Sequence, residues 1–179
     1  YVAAWMGKTH WGGNPRFETP KRSAEAQGIA AQRAERSRLP EDAVITDAPV
    51  SAELDTLAKN QALRFLEQNR SKRFFAGVSF RKPHFPFIVQ EQYYRMYQDR
   101  VDAPRVTQQM LDELPLVSQN ERKTYGFASL TEPQIRRALA VYYGMVSYMD
   151  GLIGEILRKL DALKLRDNVP RRSEASARK

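Results

Sequence analysis

The sequence of 179 residues contains no cysteine and only two histidines. The lack of cysteine excludes disulfide bonds, thiolate metal ligands and a cysteine nucleophile within this stretch. No run of apolar residues approaches the ~20 that a helix needs to cross a bilayer, and the first residues lack the basic segment and cleavage site of a signal peptide. An apolar fraction of 42% and a charged fraction of 28% are ordinary for a globular domain. The length allows one core.

The positive charge is distributed unevenly along the chain. The formal net charge is +8, and residues 164–179 alone carry half of that excess. Most of the rest lies on polar segments such as residues 21–38. A nucleic-acid-binding protein clusters its basic residues on one face. The distribution therefore favours a protein that does not bind nucleic acid.

Hydrophobic patterning predicts strands and helices in alternation. Residues 1–6 and 73–80 are apolar, rich in aromatic and small side chains, and predict two buried strands. Between them, Ser51 is a suitable N-cap for a helix that ends near residue 69, and residues 21–49 have the polar composition of a long surface excursion. The order of these elements predicts an α/β fold with a mostly parallel sheet.

The most regular pattern predicts a long helix near the end of the chain. Residues 131–134, TEPQ, form a capping-box motif in which Gln134 reaches back to Thr131. Large apolar residues then recur at steps of three and four, as on one face of an amphipathic helix that packs on the strands. They are Ile135, Leu139, Tyr142, Val146, Met149, Ile153, Ile156, Leu160 and Leu163. Upstream, a short helix is predicted at residues 90–98, and residues 99–130 are predicted to be irregular with one helical turn near residues 108–114.

Each histidine lies beside a lysine directly after a predicted strand. One motif is Gly7-Lys8-Thr9-His10, and the other is Arg81-Lys82-Pro83-His84. Ligands of open α/β sheets bind at the carboxyl ends of the strands. Lysine supplies fixed positive charge there, and histidine can donate a hydrogen bond or move a proton. Either motif alone is equally compatible with an anion site and with a packing histidine beside a solvated lysine. The occurrence of both motifs, each at a strand end, favours a shared anion site.

Three segments of the sequence resemble the sulfatase family of the alkaline-phosphatase-like superfamily. Residues 1–12, YVAAWMGKTHWG, are similar to the second sulfatase signature. Residues 73–87, RFFAGVSFRKPHFPF, resemble a later sulfatase strand with its P-H-x-P turn, above all in the iduronate-2-sulfatase and choline-sulfatase branches. Residues 142–168 resemble the long helix that precedes the family's D-H-G metal motif. The three segments occur in the family's order.

The resemblance implies roles for individual residues. Lys8 would neutralise charge on the sulfate and on the nucleophile, and His10 would hydrogen-bond the hydroxyl of that nucleophile. His84 would bind a sulfate oxygen near the leaving group. Arg81 and Lys82 would contact an anionic group of the substrate, such as a uronate, or else be solvated. Fixed cations and donors of this kind lower the barrier to sulfuryl transfer, which places charge on the sulfate oxygens.

The sequence also departs from the family pattern. The family's nucleophile is a formylglycine made from cysteine or serine in a C/S-x-P-S-R motif, and this sequence contains no such motif. It also lacks the paired aspartates that begin the family's Ca²⁺ site, and after residue 168 a basic stretch stands in place of the strand that leads to D-H-G. We therefore expect residues 1–168 to be the central part of a sulfatase catalytic domain, incomplete at both ends. Residues 169–179 are then a non-homologous, disordered tail.

The resemblance predicts an enzyme that hydrolyses sulfate esters, of carbohydrates or small molecules, in the periplasm or outside the cell. This chain alone is predicted to be inactive and prone to aggregation. One alternative is a phosphoester or phosphonate hydrolase of the same superfamily. Another is a non-catalytic, basic helical module that binds nucleic acid or a partner helix through residues 132–163.

Overall fold

The computed structural model describes residues 2–8 and 43–166. Four strands and five α-helices are found in this part of the chain, together with single 3₁₀ turns at Val50–Ala52 and Phe127–Ser129. The strands are β1 (Val2–Gly7), β2 (Val44–Thr46), β3 (Phe74–Ser79) and β4 (Ile88–Gln90); the helices are α1 (Leu54–Asn69), α2 (Glu91–Tyr94), α3 (Gln108–Asp112), α4 (Leu116–Thr124) and α5 (Glu132–Ala162). Residues 21–42 of the excursion predicted at residues 21–49, His10 and the tail at residues 169–179 lie outside the described residues. Residues 43–49 of that excursion are described and include β2.

The described strands pair in parallel, as the sequence predicts for an α/β fold. β1 pairs with β3 over six residues, from Val2 opposite Phe74 to Gly7 opposite Ser79. β2 pairs with β4 over three residues. The sequence did not predict β2 or β4, because three residues are too few for an alternation pattern to emerge.

Helices α1 and α5 cover these strands and pack against each other. One core cluster joins Ala43, Val89, Val141 and Met145, and a second joins Ala4, Met6 and Ala62. Many of these side chains are small, so the helices approach the strands closely. Among the described residues, no helix is long and apolar enough to cross a membrane.

The long helix α5 is confirmed, but its most deeply buried residues differ from the predicted stripe, most of which is only partly buried. The backbone N–H of Thr131 donates to Gln134 Oε1 over 2.8 Å, as the capping motif predicts. The buried residues are Ala140, Val141, Gly144, Met145, Tyr148 and Leu152, whereas Tyr142 and Ile153 of the predicted stripe are each 38% exposed. The buried face combines small and large side chains, and at Gly144 the helix approaches so closely that a Cβ atom would lie 3.1 Å from the Tyr93 backbone.

The boundaries of two helices differ from the predictions, and a third helix was not predicted. Helix α1 begins at Leu54, since a 3₁₀ turn at Val50–Ala52 precedes it and Glu53 occupies the N-cap position. Helix α2 ends at Tyr94, earlier than expected. Helix α4 lies within the region predicted to be irregular; it has no buried residue, so no apolar stripe in the sequence indicated it.

Candidate functional site

Strand β1 ends in a close contact that fixes the backbone of Lys8. Gly7 has a φ of +101°, and a Cβ atom there would lie 1.8 Å from the carbonyl oxygen of Ser79. The N–H of Lys8 donates to the same Ser79 oxygen over 3.1 Å, and the Trp5 indole donates to the Lys8 carbonyl over 3.2 Å. Lys8 therefore stands directly at the carboxyl end of the β1–β3 pair, at a position that only glycine can precede.

The turn after β3 carries His84 on the surface. The N–H of His84 donates to the Arg81 carbonyl over 3.0 Å, and its ring lies 4.1 Å from that of Phe85 between centroids. Nδ1 is 2.6 Å from the Phe85 carbonyl oxygen. Because a carbonyl can only accept, Nδ1 is the donor in this contact. Nε2 is then the ring nitrogen that a ligand would meet.

A cluster of buried charged and polar side chains lies beneath this turn. The Asp55 carboxylate accepts from the backbone N–H groups of Arg81 and Lys82 over 2.8 and 3.0 Å. The Lys82 ammonium donates to Glu53 Oε2 over 3.3 Å and to the Ile88 carbonyl over 2.9 Å. The Gln90 amide donates to Glu53 Oε1 over 3.0 Å. Glu53, Asp55 and Lys82 are each at most 5% exposed.

Tyr148 of α5 adjoins the same cluster. Its hydroxyl lies 2.8 Å from Thr56 Oγ1, and the Lys82 ammonium lies 5.4 Å from the centroid of its ring. Burial raises the pKa of the Tyr148 hydroxyl, and the nearby carboxylates of Glu53 and Asp55 act in the same direction, against the hydrogen bond from Thr56. The hydroxyl is therefore neutral over the physiological pH range.

The structure brings some of the predicted site residues together. Parallel pairing of β1 with β3 puts Lys8 and the Arg81–His84 turn at the same end of the sheet. Arg81 and His84 are exposed there, whereas the Lys82 ammonium is buried and directed at Glu53 and Ile88. His10 lies outside the described residues. The roles of all five residues in binding a substrate stay predictions.

The sequence did not indicate that Glu53 and Asp55 contribute to this cluster. Acidic residues at the start of a helix are common because they interact favourably with its N-terminal dipole. Their position in the sequence therefore did not distinguish them from ordinary helix-capping residues. Only the tertiary structure shows that they contact the turn that carries His84.

The described residues do not fit the calcium site that the family resemblance implies. Within residues 2–8 and 43–166, no group of three or more His, Cys, Asp or Glu side chains could hold a metal ion. The two buried carboxylates nearest the turn, Glu53 and Asp55, accept hydrogen bonds from protein donors. We therefore derive no step through a metal from these residues.

An apolar cavity of about 460 Å³ lies on the side of α5 that faces residues 104–130. Its walls include Ile135, Leu139 and Tyr142, three residues of the apolar stripe that the sequence predicted as core. Phe87, just beyond the His84 turn, forms another part of the wall. These stripe residues thus border a cavity rather than the deepest part of the core.

The sulfatase family model matches residues 1–169 of the chain. The chain belongs to the sulfatase family. This assignment confirms the resemblance seen in the sequence, including the order of its three segments. Members of the family bind a metal ion. The described residues of this sulfatase chain contain no cluster of His, Cys, Asp or Glu side chains that could hold one.

Iduronate 2-sulfatase and choline-sulfatase are among the proteins that are similar to parts of the chain. Iduronate 2-sulfatase of Mus musculus is 27% identical in an alignment of 139 residues that covers 69% of this chain and 25% of that protein. Choline-sulfatase of Rhizobium meliloti (strain 1021) is 29% identical in an alignment of 94 residues that covers 51% of this chain and 18% of that protein. The sulfatase chain thus spans a quarter or less of the length of these relatives.

A solved structure supports the fold. The phosphonate monoester hydrolase of Agrobacterium radiobacter superposes on 93% of this sulfatase chain with a TM-score of 0.61 at 17% identity, and the chain covers 43% of that structure. The similarity confirms the predicted α/β, alkaline-phosphatase-like architecture.

Proposed function

We propose that this chain supplies the anion-binding side of an active site that hydrolyses sulfate esters. The observation that carries the proposal is the placement of Lys8 and His84 at the same end of two paired parallel strands. Family membership supports the reaction class. Because the chain covers only 25% of the length of iduronate 2-sulfatase, the activity of the whole protein is part of this proposal.

In the proposed reaction, the sulfur–oxygen bond to the alcohol would break as a hydroxyl oxygen of the nucleophile bonds to sulfur. The proton of that hydroxyl would pass to the alcohol that leaves. A second step, which His10 would assist, would then release the sulfate from the nucleophile with the net uptake of one water molecule. The Lys8 ammonium would offset negative charge on the sulfate, and His84 Nε2, when protonated, would donate to a sulfate oxygen. His10 would accept a hydrogen bond from the attacking hydroxyl. Such preorganised charges act most strongly where the transition state gains charge.

The nucleophile and the metal belong to the proposal as well. We propose that a formylglycine, formed outside this sequence, supplies the attacking hydroxyl, since the sequence has no C/S-x-P-S-R motif. We also propose Ca²⁺ as the metal, held by oxygen ligands outside the described residues, because this cation takes six or more oxygens.

The proposed substrate is a sulfated carbohydrate or small molecule. The names of two relatives, iduronate 2-sulfatase and choline-sulfatase, support this range. We further propose a periplasmic or extracellular location and no binding of nucleic acid. The last point is supported by the spread of positive charge over separate segments rather than one face.

The experiment that tests the proposal is a titration of the chain with inorganic sulfate, followed by nuclear magnetic resonance of the backbone amides and histidine rings. We expect resonances of Lys8 and His84 to shift together. Lys8→Ala and His84→Ala should each weaken binding about tenfold, the loss expected for one charge-assisted hydrogen bond. Lys72→Ala is the matched control, because Lys72 precedes β3 at the opposite end of the strand. If Lys72→Ala weakened sulfate binding as much as Lys8→Ala does, the loss would be due to the change in net charge alone. That result would refute the proposed site.

A phosphoester or phosphonate hydrolase is the second candidate. It is favoured by the structural similarity to a phosphonate monoester hydrolase and by 25% identity over 120 residues to the multifunctional alkaline phosphatase superfamily protein PehA of Trinickia caryophylli. The same titration with phenyl phosphonate and phenyl sulfate separates the two. Preference for the sulfate supports the first proposal, and preference for the phosphonate supports the second.

A further inference from the structure

We propose that Asp55, Glu53 and Lys82 are positioning residues that hold the turn carrying His84 in one conformation. The role of His84 as an anion ligand rests on the proposed function, whereas the restraint on the turn stands on the contacts themselves. Lys82 is thereby assigned to the support of the site rather than to contact with a substrate.

Asp55 holds the first half of the turn. Each of its two carboxylate oxygens accepts one backbone N–H, Oδ1 from Arg81 and Oδ2 from Lys82, over 2.8 and 3.0 Å. Hydrogen bonds to a charged acceptor are stronger than those between neutral groups. Because Asp55 is only 3% exposed and lies in the first turn of α1, the rigid helix fixes both N–H groups, which lie three and two residues before His84.

Lys82 closes the second half of the turn. Its ammonium donates to the carbonyl of Ile88, the first residue of β4, over 2.9 Å. One side chain thus spans from the start of the turn to its end, and His84 lies between the two attachment points. The turn is therefore restrained on both sides of the histidine, which is itself exposed.

Glu53 supplies the negative charge that allows the Lys82 ammonium to be buried in a region of low dielectric. A buried ammonium needs a partner for its charge, because desolvation of an unpaired ion costs several kcal/mol. Glu53 Oε2 lies 3.3 Å from the Lys82 ammonium, and Gln90 of β4 donates to the other oxygen of Glu53 over 3.0 Å. Both carboxylates also lie at the N-terminal end of α1, where its dipole favours negative charge.

Buried ion pairs seldom add net stability over well-packed apolar residues, but they can specify a single arrangement. Here the hydrogen-bonding groups of three side chains converge on the eight-residue connection between β3 and β4. That connection carries the exposed histidine. We infer that the cluster serves the geometry of His84 more than the overall stability of the fold.

The test compares Asp55→Asn with Asp150→Asn, a matched control at an exposed aspartate of α5. We expect Asp55→Asn to speed amide exchange at Arg81, Lys82 and His84 at least about tenfold, since a charged acceptor is lost. The amide of Leu57, which bonds to the Glu53 carbonyl in α1, should change much less. Sulfate affinity should fall about three- to tenfold although His84 is retained, and the ring resonances of His84 should move.

A second variant covers the case in which Asp55→Asn does not fold. The paired change Glu53→Gln with Lys82→Met removes both charges together, so that no ion is left unpaired. It should release His84 in the same way, whereas Glu91→Gln with Arg95→Met, at an exposed pair on α2, should not.

The outcomes separate the two proposals. Wild-type exchange at the turn in a folded Asp55→Asn or paired variant overturns the positioning role. Faster exchange at the turn with unchanged sulfate affinity overturns the link to His84 as an anion ligand. A wild-type chain that binds no sulfate refutes the proposed function, and the exchange rates then decide the restraint on the turn independently.

Discussion

Tyr148 shows how far a single residue can depend on its surroundings. It is fully buried in α5, bonded to Thr56, and close to the Lys82 ammonium. Burial, more than any other cause, raises its pKa above the ordinary value of 10.0. The sequence did not single out this tyrosine, because eight tyrosines are scattered along the chain. Only the fold brings Tyr148 next to the charged cluster.

The raised pKa of Tyr148 predicts a loss of stability at alkaline pH. Below pH 10 the hydroxyl is protonated in both the folded and the unfolded state. Its contribution to the free energy of unfolding is then fully present. As pH rises above 10 the unfolded state ionises first, so the free energy of unfolding should fall by up to about 1.4 kcal/mol per pH unit. Urea unfolding between pH 8 and 11 measures this slope.

Two variants identify the residue responsible. Tyr148→Phe should remove this share of the alkaline slope, because the ionisable hydroxyl is gone. Thr56→Val should retain it, since the tyrosine stays buried. An alkaline slope that is the same in Tyr148→Phe as in the wild type would contradict the assignment.

At the scale of elements, α5 decides how the described part of the chain packs. It contacts α1 through the ion pair between Lys59 and Glu155, which are 2.7 Å apart, and through Lys159 and Glu67. The Lys159 ammonium lowers the pKa of the Glu67 carboxyl. The core contacts of α5 are made by Val141 and Met145, which lie outside the stripe that the sequence predicted, and by Ile156, which belongs to it.

The corrected face of α5 predicts unequal effects of two similar substitutions. Met145→Ala should lower the free energy of unfolding by about 2–5 kcal/mol, because Met145 is fully buried and its loss leaves a cavity. Ile153→Ala, at a position 38% exposed, should cost less than about 1 kcal/mol. Urea unfolding of both variants measures the difference, and a larger cost at Ile153 would restore the stripe predicted from the sequence.

At the scale of the whole molecule, the described sheets leave strand edges and apolar side chains exposed. In residues 2–8 and 43–166, β1 and β3 each pair with one strand, and Phe75 of β3 is 57% exposed. Leu116 of α4 is more exposed still, at 77%, but lies on a short helix away from any strand pairing. Unpaired edges beside apolar side chains favour association between copies.

We therefore expect the chain to self-associate through the β3 region. Sedimentation velocity at several protein concentrations should show a mass that rises with concentration. Phe75→Lys should reduce this rise, whereas Leu116→Lys, which adds the same charge, should reduce it less. A concentration-independent monomer with a sharp thermal transition would contradict the expectation.

The sequence by itself determined the family, the α/β class and the main elements. It did so because strand ends, the capping motif at Thr131 and the lysine–histidine motifs are local patterns of neighbouring residues. Lys8 and His84 could be singled out for the same reason, since each follows a strand whose end is visible in the sequence. Their roles in binding a substrate stay predictions.

Only the tertiary structure decided which residues support those motifs. Glu53 and Asp55 lie about thirty residues from the turn that they hold, so no local pattern could join them to it. The inward face of α5 likewise depends on remote contacts, such as that of Gly144 with the backbone of Tyr93. In both cases the deciding quantity is the distance between segments remote in sequence, and that distance exists only once the helices have packed on the strands.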